Sequence, residues 1–383
     1  MEKITVKRLS PAGEQCFFGY YDIPAFDAKT NLHLCHRAPF RDHLPETCDE
    51  AELGFLKDGE FMPFAKTSLW NFQQGSMLCY GGGEYIFYND MRGENPRLIR
   101  REIATGKEDV FERPAANVSA DGRYSVSVNF ARIYGFRPGY GYVALSDEGE
   151  NVNFPEDDGV FVTNLTSGET KPVLNYCEIR QLFEKAGCPM PDRKVLINHI
   201  TLSQNAKRIL MLTRYFPDVS RNGGWMTAML TCDIDGGNTR ILLDYSYASH
   251  YHWRDDRTLL VHSFGPLGNQ LYEYDDFTGE CEAVDIEFFP KDGHCSYSPD
   301  RKWILYDSYP DANKQQWLFL YNIAQKKGVA LAAVDAMPVD VVDIRCDLHP
   351  RWMPDGETIT FDSTHEGFRG IYSAYLGDVM KEF

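Results

Sequence analysis

A short strand, a turn rich in Asp, Gly or Asn, and a second, apolar strand recur in this order along the whole chain. Seven copies read AFDAKTNLHLC from Ala25, LCYGGGEYIFY from Leu78, VSADGRYSVSV from Val118, LSQNAKRILML from Leu202, WRDDRTLLVHS from Trp253, YSPDRKWILYD from Tyr297 and WMPDGETITFD from Trp352. Asp-Gly-type turns followed by alternating apolar and polar residues are typical of β-hairpins. The repetition therefore predicts a fold assembled from equivalent antiparallel units.

Further strand–turn–strand stretches lie between the copies, such as MTAMLTCDIDGGNTRILL from Met226, so each unit holds about four strands. Seven units in 383 residues correspond to about 55 residues each. The aromatic fraction of 14%, with 31 Gly and 20 Pro, also favours strands and turns. The predicted fold is an all-β, seven-bladed β-propeller with four antiparallel strands per blade.

No linker or low-complexity segment divides the chain, so residues 1–383 are predicted to form a single propeller domain. The N-terminal strand EKITVKRL is expected to pair with the last blade, after IYSAYLG, because an open ring would leave unpaired sheet edges. Between the third and fourth copies, the Gly/Pro-rich ARIYGFRPGYGY and a predicted helix, CEIRQLFEKAG from Cys177, are interpreted as insertions over one rim. One or two short helices are expected in total.

The charge and cysteine patterns exclude several classes of protein. With 39 Lys+Arg against 56 Asp+Glu, the net charge is −17, which disfavours nucleic-acid partners. No apolar run reaches the ~20 residues that a membrane span requires, and no secretory leader is visible. The 10 Cys form no CxxC pair and indicate free thiols in a reducing compartment, so a cytoplasmic location is predicted. The Gly81–Gly83 turn lacks the Lys and helix of a phosphate loop, so no nucleotide cofactor is expected.

Four histidines occupy the same position in four successive copies. His199, His250, His294 and His349 each stand three residues before the apolar residue that opens a copy, although the chain contains only 10 His. This position begins the innermost strand of a blade, so the four imidazoles are expected to meet at one mouth of the channel. Imidazoles there suit a divalent metal or proton transfer. Alternatively, they brace neighbouring blades internally.

Other polar residues are expected at the same mouth. Tyr21 precedes the first inner strand, Gln73 and Gln74 precede the second, and Arg137 and Tyr140 lie in the insertion FRPGYGYV. Aromatic and amide side chains at a channel mouth suit a sugar, which offers CH faces for stacking and hydroxyls for hydrogen bonds. We predict that these five residues bind substrate, the last two as part of a lid. The alternative is ordinary blade packing.

The segments DGHCSYSPDRKWILYDSYPD and DLHPRWMPDGETITFDSTHEG resemble TolB-like propellers, and within that fold the oligogalacturonate lyase family. FFGYYD, WNFQQGSMLCY, RPGYGY and RCDLHPRW are also similar to uncharacterised bacterial propellers found alongside carbohydrate genes. The resemblance covers essentially the whole chain as architecture. It implies a bacterial lyase that cleaves short uronic-acid-containing oligosaccharides by β-elimination, aided by a divalent metal, most often Mn²⁺.

The same resemblance implies roles for individual residues. His250 matches the catalytic histidine of the family, with His199 as a second candidate, and His294 matches a metal ligand. The family's last ligand cluster has two His and a Gln, whereas this chain offers Asp347 and His349, and this departure leaves the metal open. Arg214 is the nearest candidate for an arginine that serves the family chemistry, and it is assigned to catalysis. Arg345 lies beside the ligand cluster in the sequence and is assigned to substrate binding. For either arginine, an inter-blade salt bridge is the alternative.

Two other functions remain open at the level of sequence. A glycoside hydrolase could use a carboxylate pair such as Asp307 and Asp362, which follow the second strands of their copies. A non-catalytic propeller could bind sugar or protein, because one fold hosts many functions. The negative net charge also disfavours long-range capture of an anionic polymer. The oligomeric state is not predicted.

Overall fold

Seven antiparallel sheets stand as blades around a central channel in the computed structural model, which describes residues 3–217, 224–289 and 291–383. Six sheets have four strands, and the first has a fifth short strand attached to its second strand. The predicted seven-bladed propeller with four antiparallel strands per blade is therefore confirmed.

The strands are listed here in chain order. They are β1 (Val6–Arg8), β2 (Gln15–Phe17), β3 (Phe26–Asp27), β4 (Leu32–Ala38), β5 (Ala51–Lys57), β6 (Glu60–Thr67), β7 (Cys79–Gly81), β8 (Tyr85–Arg92), β9 (Asn95–Glu102), β10 (Glu108–Phe111), β11 (Asn117–Val118), β12 (Tyr124–Ser127), β13 (Gly159–Asn164), β14 (Thr170–Asn175), β15 (Leu196–Leu202), β16 (Arg208–Tyr215), β17 (Met226–Asp233), β18 (Arg240–Ser246), β19 (Ala248–Trp253), β20 (Thr258–Gly265), β21 (Gly268–Asp275), β22 (Cys281–Ala283), β23 (Cys295–Tyr297), β24 (Trp303–Asp307), β25 (Gln315–Asn322), β26 (Lys327–Asp335), β27 (Arg351–Trp352), β28 (Thr358–Ser363) and β29 (Gly370–Tyr375). The helices are α1 (Phe130–Phe136), α2 (Tyr176–Lys185) and α3 (Gly377–Met380), with 3₁₀ turns at Pro138–Tyr140 and Val342–Ile344.

The blades follow one another in sequence, and the chain ends meet in the last one. Blade 1 holds β2–β6, blade 2 β7–β10, blade 3 β11–β14, blade 4 β15–β18, blade 5 β19–β22, blade 6 β23–β26, and blade 7 β27–β29 together with β1. Strand β1 pairs with β29, with Val6 opposite Ala374 and Arg8 opposite Tyr372. The N-terminal strand therefore closes the ring, as predicted.

The insertion between β12 and β15 contains two helices where the sequence predicted one. The predicted helix is α2, which begins with a capping box formed by Asn175 and Glu178. Helix α1 lies in the stretch that was expected to be an irregular Gly/Pro-rich loop; it is capped by Asn129 and buries Phe130 and Ile133. With α3, the described part of the chain has three α-helices instead of the one or two expected.

Apolar side chains of neighbouring blades pack against one another and form the core. All ten cysteines are free thiols, and five of them are buried. Among the described residues, no helix is long and apolar enough to cross a bilayer.

The segment Phe18–Pro24, here called the plug segment, occupies the centre of the ring. Its Gly19 carbonyl accepts a hydrogen bond from His349 of blade 7 at 2.7 Å. Its Tyr21 hydroxyl donates to the carbonyl of Tyr251 in blade 5 at 2.6 Å and accepts from the same residue's N–H at 2.9 Å. The plug segment thus links blades 5 and 7 and contacts the predicted site residues.

Candidate functional site

The four histidines of the repeat converge on the plug segment. The ring centroids of His250 and His294 are 4.0 Å apart, and those of His294 and His349 are 4.2 Å apart. The ring of Tyr20 contacts His199 and His349 edge-on, each at 4.9 Å between centroids. Three imidazoles therefore form one group, and His199 lies on the other side of Tyr20.

Irregular backbone aims these side chains at the channel. The register between β15 and β16 shifts between Asn198 and Ile200, which leaves His199 outside the strand pairing, and a similar shift in β19 includes His250. His199 and His349 adopt left-handed backbone conformations with φ of 53° and 43°. Such bulges and strained residues are concentrated at functional sites, where they redirect side chains.

His294 and His349 face each other through their Nε2 atoms, which are 3.1 Å apart. The Nδ1 atom of each ring is already used: His349 Nδ1–H donates to the Gly19 carbonyl at 2.7 Å, and His294 Nδ1–H donates to Asp307 at 2.9 Å. A carbonyl oxygen can only accept, so the proton of neutral His349 is on Nδ1. Two neutral rings would therefore point lone pairs at each other. A proton or a cation between the Nε2 atoms removes that repulsion.

Asp347 completes a group that fits a metal ion. Ligand atoms of His294, Asp347 and His349 all lie within 4.8 Å of one another, and all three residues are buried. Arg345 Nε donates to Asp347 Oδ1 at 3.0 Å, and Arg345 Nη2 forms an ion pair with Asp347 Oδ2 at 2.7 Å. Within the described residues, Oδ2 accepts no well-aligned hydrogen bond. Cis ligands of an octahedral ion at ~2.1 Å stand ~3 Å apart, comparable with the spacing of the two Nε2 atoms. Two imidazoles and a carboxylate suit a first-row divalent metal.

The two facing rings have pKa values shifted in opposite directions. Burial acts to lower the pKa of His294, but the carboxylates of Asp307 and Asp347 outweigh it and raise that pKa. Burial, together with the nearby charge of His294, lowers the pKa of His349 well below its usual value. The proton is therefore held on His294 and donated to His349, in the place where a metal would bind.

The arrangement around His250 is that of an oriented base. Its Nδ1 atom lies 3.0 Å from Asp292 Oδ1, and its Nε2 atom lies 3.4 Å from the Tyr309 hydroxyl. Burial lowers the pKa of His250 to about 4, although Asp292 opposes this effect. The ring is thus neutral near pH 7, with its proton on Nδ1 toward Asp292 and its Nε2 lone pair accepting only a long hydrogen bond from the Tyr309 hydroxyl. A substrate proton could replace that weak bond at Nε2.

His199 has a carboxylate partner of its own. Its Nε2 atom lies 3.1 Å from Asp22 Oδ2, and its ring stacks on Tyr251 with centroids 4.0 Å apart. Burial lowers the pKa of His199. Its Nδ1 atom has no hydrogen-bond partner anywhere in the described chain, so one ring nitrogen remains for a ligand or water.

Three arginines stand at the rim above the histidines, and one of them lacks a carboxylate. Arg345 pairs with Asp347 and donates to the Tyr140 hydroxyl at 3.0 Å. Arg214 is only 7% exposed, donates to the Ala248 carbonyl at 3.3 Å, and has no acidic partner among the residues described. Burial lowers the pKa of Arg214. A buried cation without a counter-ion is costly, so this guanidinium is suited to an anionic ligand.

The predicted lid residues lie at this rim. Arg137 Nε is 3.2 Å from Asp343 Oδ1, which joins the insertion to the segment that precedes Arg345. The guanidinium of Arg137 also lies over the rings of Tyr140 and Trp225, at 5.0 and 4.9 Å from their centroids. Arg137 and Tyr140 are therefore held in the rim together with Arg345.

The other three predicted substrate-binding residues lie beneath the site. The ring of Tyr21 is 5.2 Å from that of His294, but its hydroxyl is engaged with blade 5. Gln73 is fully buried and donates to the Arg345 carbonyl at 2.9 Å. Gln74 is also buried, and its N–H donates to Asn71. These contacts fit support of the site residues better than direct contact with a substrate.

Several residues of the site were not identified from the sequence. Asp292 lies two residues before His294, and this proximity was a usable signal. Tyr309, Asp343 and Trp225 fall at no repeated position, so only the folded structure brings them to the mouth.

The sequence matches no protein-family model and no curated protein. Solved structures do share the fold. An oligogalacturonate lyase from Vibrio parahaemolyticus has a TM-score of 0.65 and 15% identity over 97% of this chain and 93% of that chain. An oligogalacturonate lyase in complex with manganese has a TM-score of 0.69 and 16% identity, covering 98% and 94%. The tricorn protease has a TM-score of 0.54 and 12% identity, and the match covers 96% of this chain but only 34% of the protease chain. At these identities, the likeness shows the propeller fold.

Proposed function

We propose that the protein is a metal-assisted lyase that cleaves short uronic-acid-containing oligosaccharides by β-elimination. The observation that carries this proposal is the pair of facing Nε2 atoms of His294 and His349, 3.1 Å apart, beside Asp347 Oδ2, which accepts no aligned hydrogen bond from the described residues. These three residues would hold the ion. The manganese complex of a structurally similar oligogalacturonate lyase supports Mn²⁺ as the metal.

The chemistry follows from the residues around that group. Arg214 binds the sugar carboxylate, and His250 accepts at Nε2 the proton from the carbon next to it. Asp292, 3.0 Å from Nδ1, stabilises the imidazolium that forms. The bond to the leaving sugar oxygen then breaks as the double bond forms, that oxygen takes a proton from solvent water, and the His250 imidazolium later returns the abstracted proton to solvent. Neutral His199, whose Nε2 lies 3.1 Å from Asp22, offers its Nδ1 lone pair to a sugar hydroxyl or to this water. When bound, the metal supplies positive charge beside the carboxylate.

A hydrolase that uses Asp307 and Asp362 is less well supported. Asp307 accepts from the ring and the N–H of His294. Asp362 pairs with Arg351 at 2.6 Å and accepts from the N–H of Phe18 at 3.0 Å. Glycoside hydrolysis needs two carboxyl groups that face the glycosidic bond, whereas both of these carboxylates are buried and hydrogen-bonded to other residues of the protein.

The scattered free thiols support a cytoplasmic location in a bacterium.

The test combines metal analysis with ultraviolet absorbance of the unsaturated uronide that only β-elimination produces. The wild type should retain Mn²⁺ on gel filtration and generate the absorbance from trigalacturonate. His294→Ala should lose both the metal and the activity. His250→Ala should keep the metal and lose at least ~100-fold in kcat, because it removes only the base.

His43, which is exposed and far from the repeat position, provides the matched control: His43→Ala should behave like the wild type. New reducing ends without ultraviolet absorbance would indicate a hydrolase. Binding of trigalacturonate without either product would indicate a non-catalytic sugar-binding propeller.

A further inference from the structure

One indole, that of Trp225, contacts two of the three rim arginines. The Arg214 guanidinium carbon lies 4.4 Å from the ring centroid, and that of Arg137 lies 4.9 Å from it. Both distances are within the range of cation–π attraction, in which the electron-rich face of an indole stabilises a guanidinium. Trp225 immediately precedes β17, and no sequence pattern marks it.

The two arginines are close enough to repel each other. The charge of Arg137 adds to burial in lowering the pKa of Arg214. Arg137 has Asp343 at 3.2 Å, whereas in the described chain Arg214 has no carboxylate at all. A carboxylate between the two would remove the repulsion but would also occupy the N–H groups. An indole face stabilises a guanidinium without accepting those N–H bonds, so they remain for a ligand.

Further aromatic contacts fix the indole in place. Trp225 packs on Phe216, with centroids 5.8 Å apart, and Phe216 stacks on Phe136 at 5.5 Å with 10° between the planes. Phe136 ends α1, and the next residue is Arg137, whose N–H closes that helix on Ile133. The same aromatic row therefore sets the position of Trp225 and of the helix end that carries Arg137.

From this geometry we propose that Trp225 is a positioning residue that holds Arg137 and Arg214 as a pair for a substrate carboxylate. The inference rests on the proposed function for the nature of the substrate. It adds a specificity: the pair recognises the ionised acid and not its ester, because a guanidinium pair gains most from a full negative charge. Trp225 acts through the arginines and needs no contact with the sugar.

The test uses Trp225→Leu, which keeps an apolar side chain but removes the π face. With trigalacturonate, KM should rise and kcat/KM should fall at least about tenfold, because the arginines bind the carboxylate in the ground state and bind it more strongly as proton abstraction adds negative charge to it. With the methyl-esterified trisaccharide, KM should not change. Trp225→Phe, which retains a smaller π face and keeps the packing, should raise KM for the acid about threefold.

Binding measured by calorimetry separates this inference from the proposed lyase activity. If the wild type binds trigalacturonate but forms no unsaturated product, and Trp225→Leu weakens that binding only for the acid, the lyase fails and the inference stands. An equal loss for acid and ester would overturn the inference, because it indicates direct stacking or general damage to the rim. An unchanged KM or binding constant for the acid in both variants would also overturn it.

Discussion

The ring nitrogens of His33 and His36 contact carbonyl, hydroxyl and N–H groups, whereas His199, His250 and His294 of the site each have an aspartate partner. His33 lies between the carbonyl of Leu34 and the hydroxyl of Thr360, at 2.6 and 3.0 Å. His36 Nε2 accepts the N–H of Ser76 at 3.0 Å, so this nitrogen must carry a lone pair. Burial lowers the pKa of each imidazole to about 3. These two histidines are packed as neutral groups, and among the described residues no carboxylate forms an ion pair with either ring.

The stability of the fold should therefore fall in mild acid. An unfolded histidine takes up a proton near pH ~6.5, whereas the folded ones resist until about pH 3, so the unfolded chain binds more protons between those values. Stability is full above pH ~6.5 and decreases as the pH falls, by up to ~1.4 kcal/mol per pH unit for each histidine. Urea unfolding at pH 7, 6 and 5 measures this slope.

A variant isolates the contribution of one side chain. His36→Gln keeps an acceptor for Ser76 and cannot be protonated, so it should reduce the slope by ~1.4 kcal/mol per pH unit relative to the wild type. An identical slope in the two proteins would show that His36 is not the group that titrates on unfolding.

At the scale of elements, ring closure depends on a very short strand. Strand β1 contributes three paired residues, and its neighbours Lys3 and Leu9 add backbone hydrogen bonds to Leu331 and Ile371. Ile4 is buried in the cluster between blades 6 and 7. These contacts cover the outer edge of β29, which would otherwise be an exposed template for another strand.

Deleting residues 1–9 should lower stability by about 3 kcal/mol, because it removes one buried apolar side chain and the pairing of a sheet edge. Thermal unfolding is the measurement, and light scattering should reveal association through the uncovered edge. Lys7→Ala, which leaves the backbone of β1 intact at an exposed position, is the control and should melt like the wild type. An unchanged melting temperature after the deletion would refute the role of β1 in closure.

The sequence was sufficient to predict the elements that repeat and insufficient for those that do not. The turns before β8, β12 and β28 contain Gly or Asp-Gly, and these local signals fixed the number of blades. Helix α1 was missed because Gly135 and the following RPGYGY obscured its apolar face. The common register predicted that the histidines converge, but their partners come from distant segments: Gly19 binds His349, and Asp22 binds His199. Only tertiary contacts decide those pairs.

Over the whole molecule, the net charge is −17, whereas the arginines at the rim form a local group of positive charges. The two have opposite effects on an anionic ligand. At low ionic strength the Debye length is ~30 Å, so an approaching oligouronate meets the repulsion of the entire surface. At ~0.1 M salt this length is ~10 Å, while the buried contacts to Arg214 are screened much less. Under the proposed function, the net field would therefore slow capture of the oligouronate, and the arginine contacts would retain it once it is bound.

This balance predicts an unusual salt response for a site lined with arginine. Raising ionic strength from ~0.01 to ~0.1 M should increase kcat/KM for trigalacturonate, by a few-fold, because long-range repulsion is removed first. The methyl-esterified trisaccharide carries no charge, and its kcat/KM should stay constant. A decrease for the acid over the same range would mean that the rim arginines dominate the field.

The plug segment determines whether a chain of sugars could pass through the central channel. Tyr20 and Tyr21 are each only 3% exposed, and Asp22 and Pro24 of the same segment line a cavity of about 140 Å³ together with Thr201 and His252. Under the proposed function, the part of the ring that the structure describes would therefore act as a cup with its entrance at the arginine rim, because buried Tyr20 and Tyr21 fill the channel behind it. A long polymer cannot be threaded and advanced from cut to cut; it must insert one end. Both fragments must then leave by the entrance before the next chain can enter. If the proposed lyase activity is correct, turnover would therefore be distributive, and short chains, which diffuse out quickly, would suit this ring best.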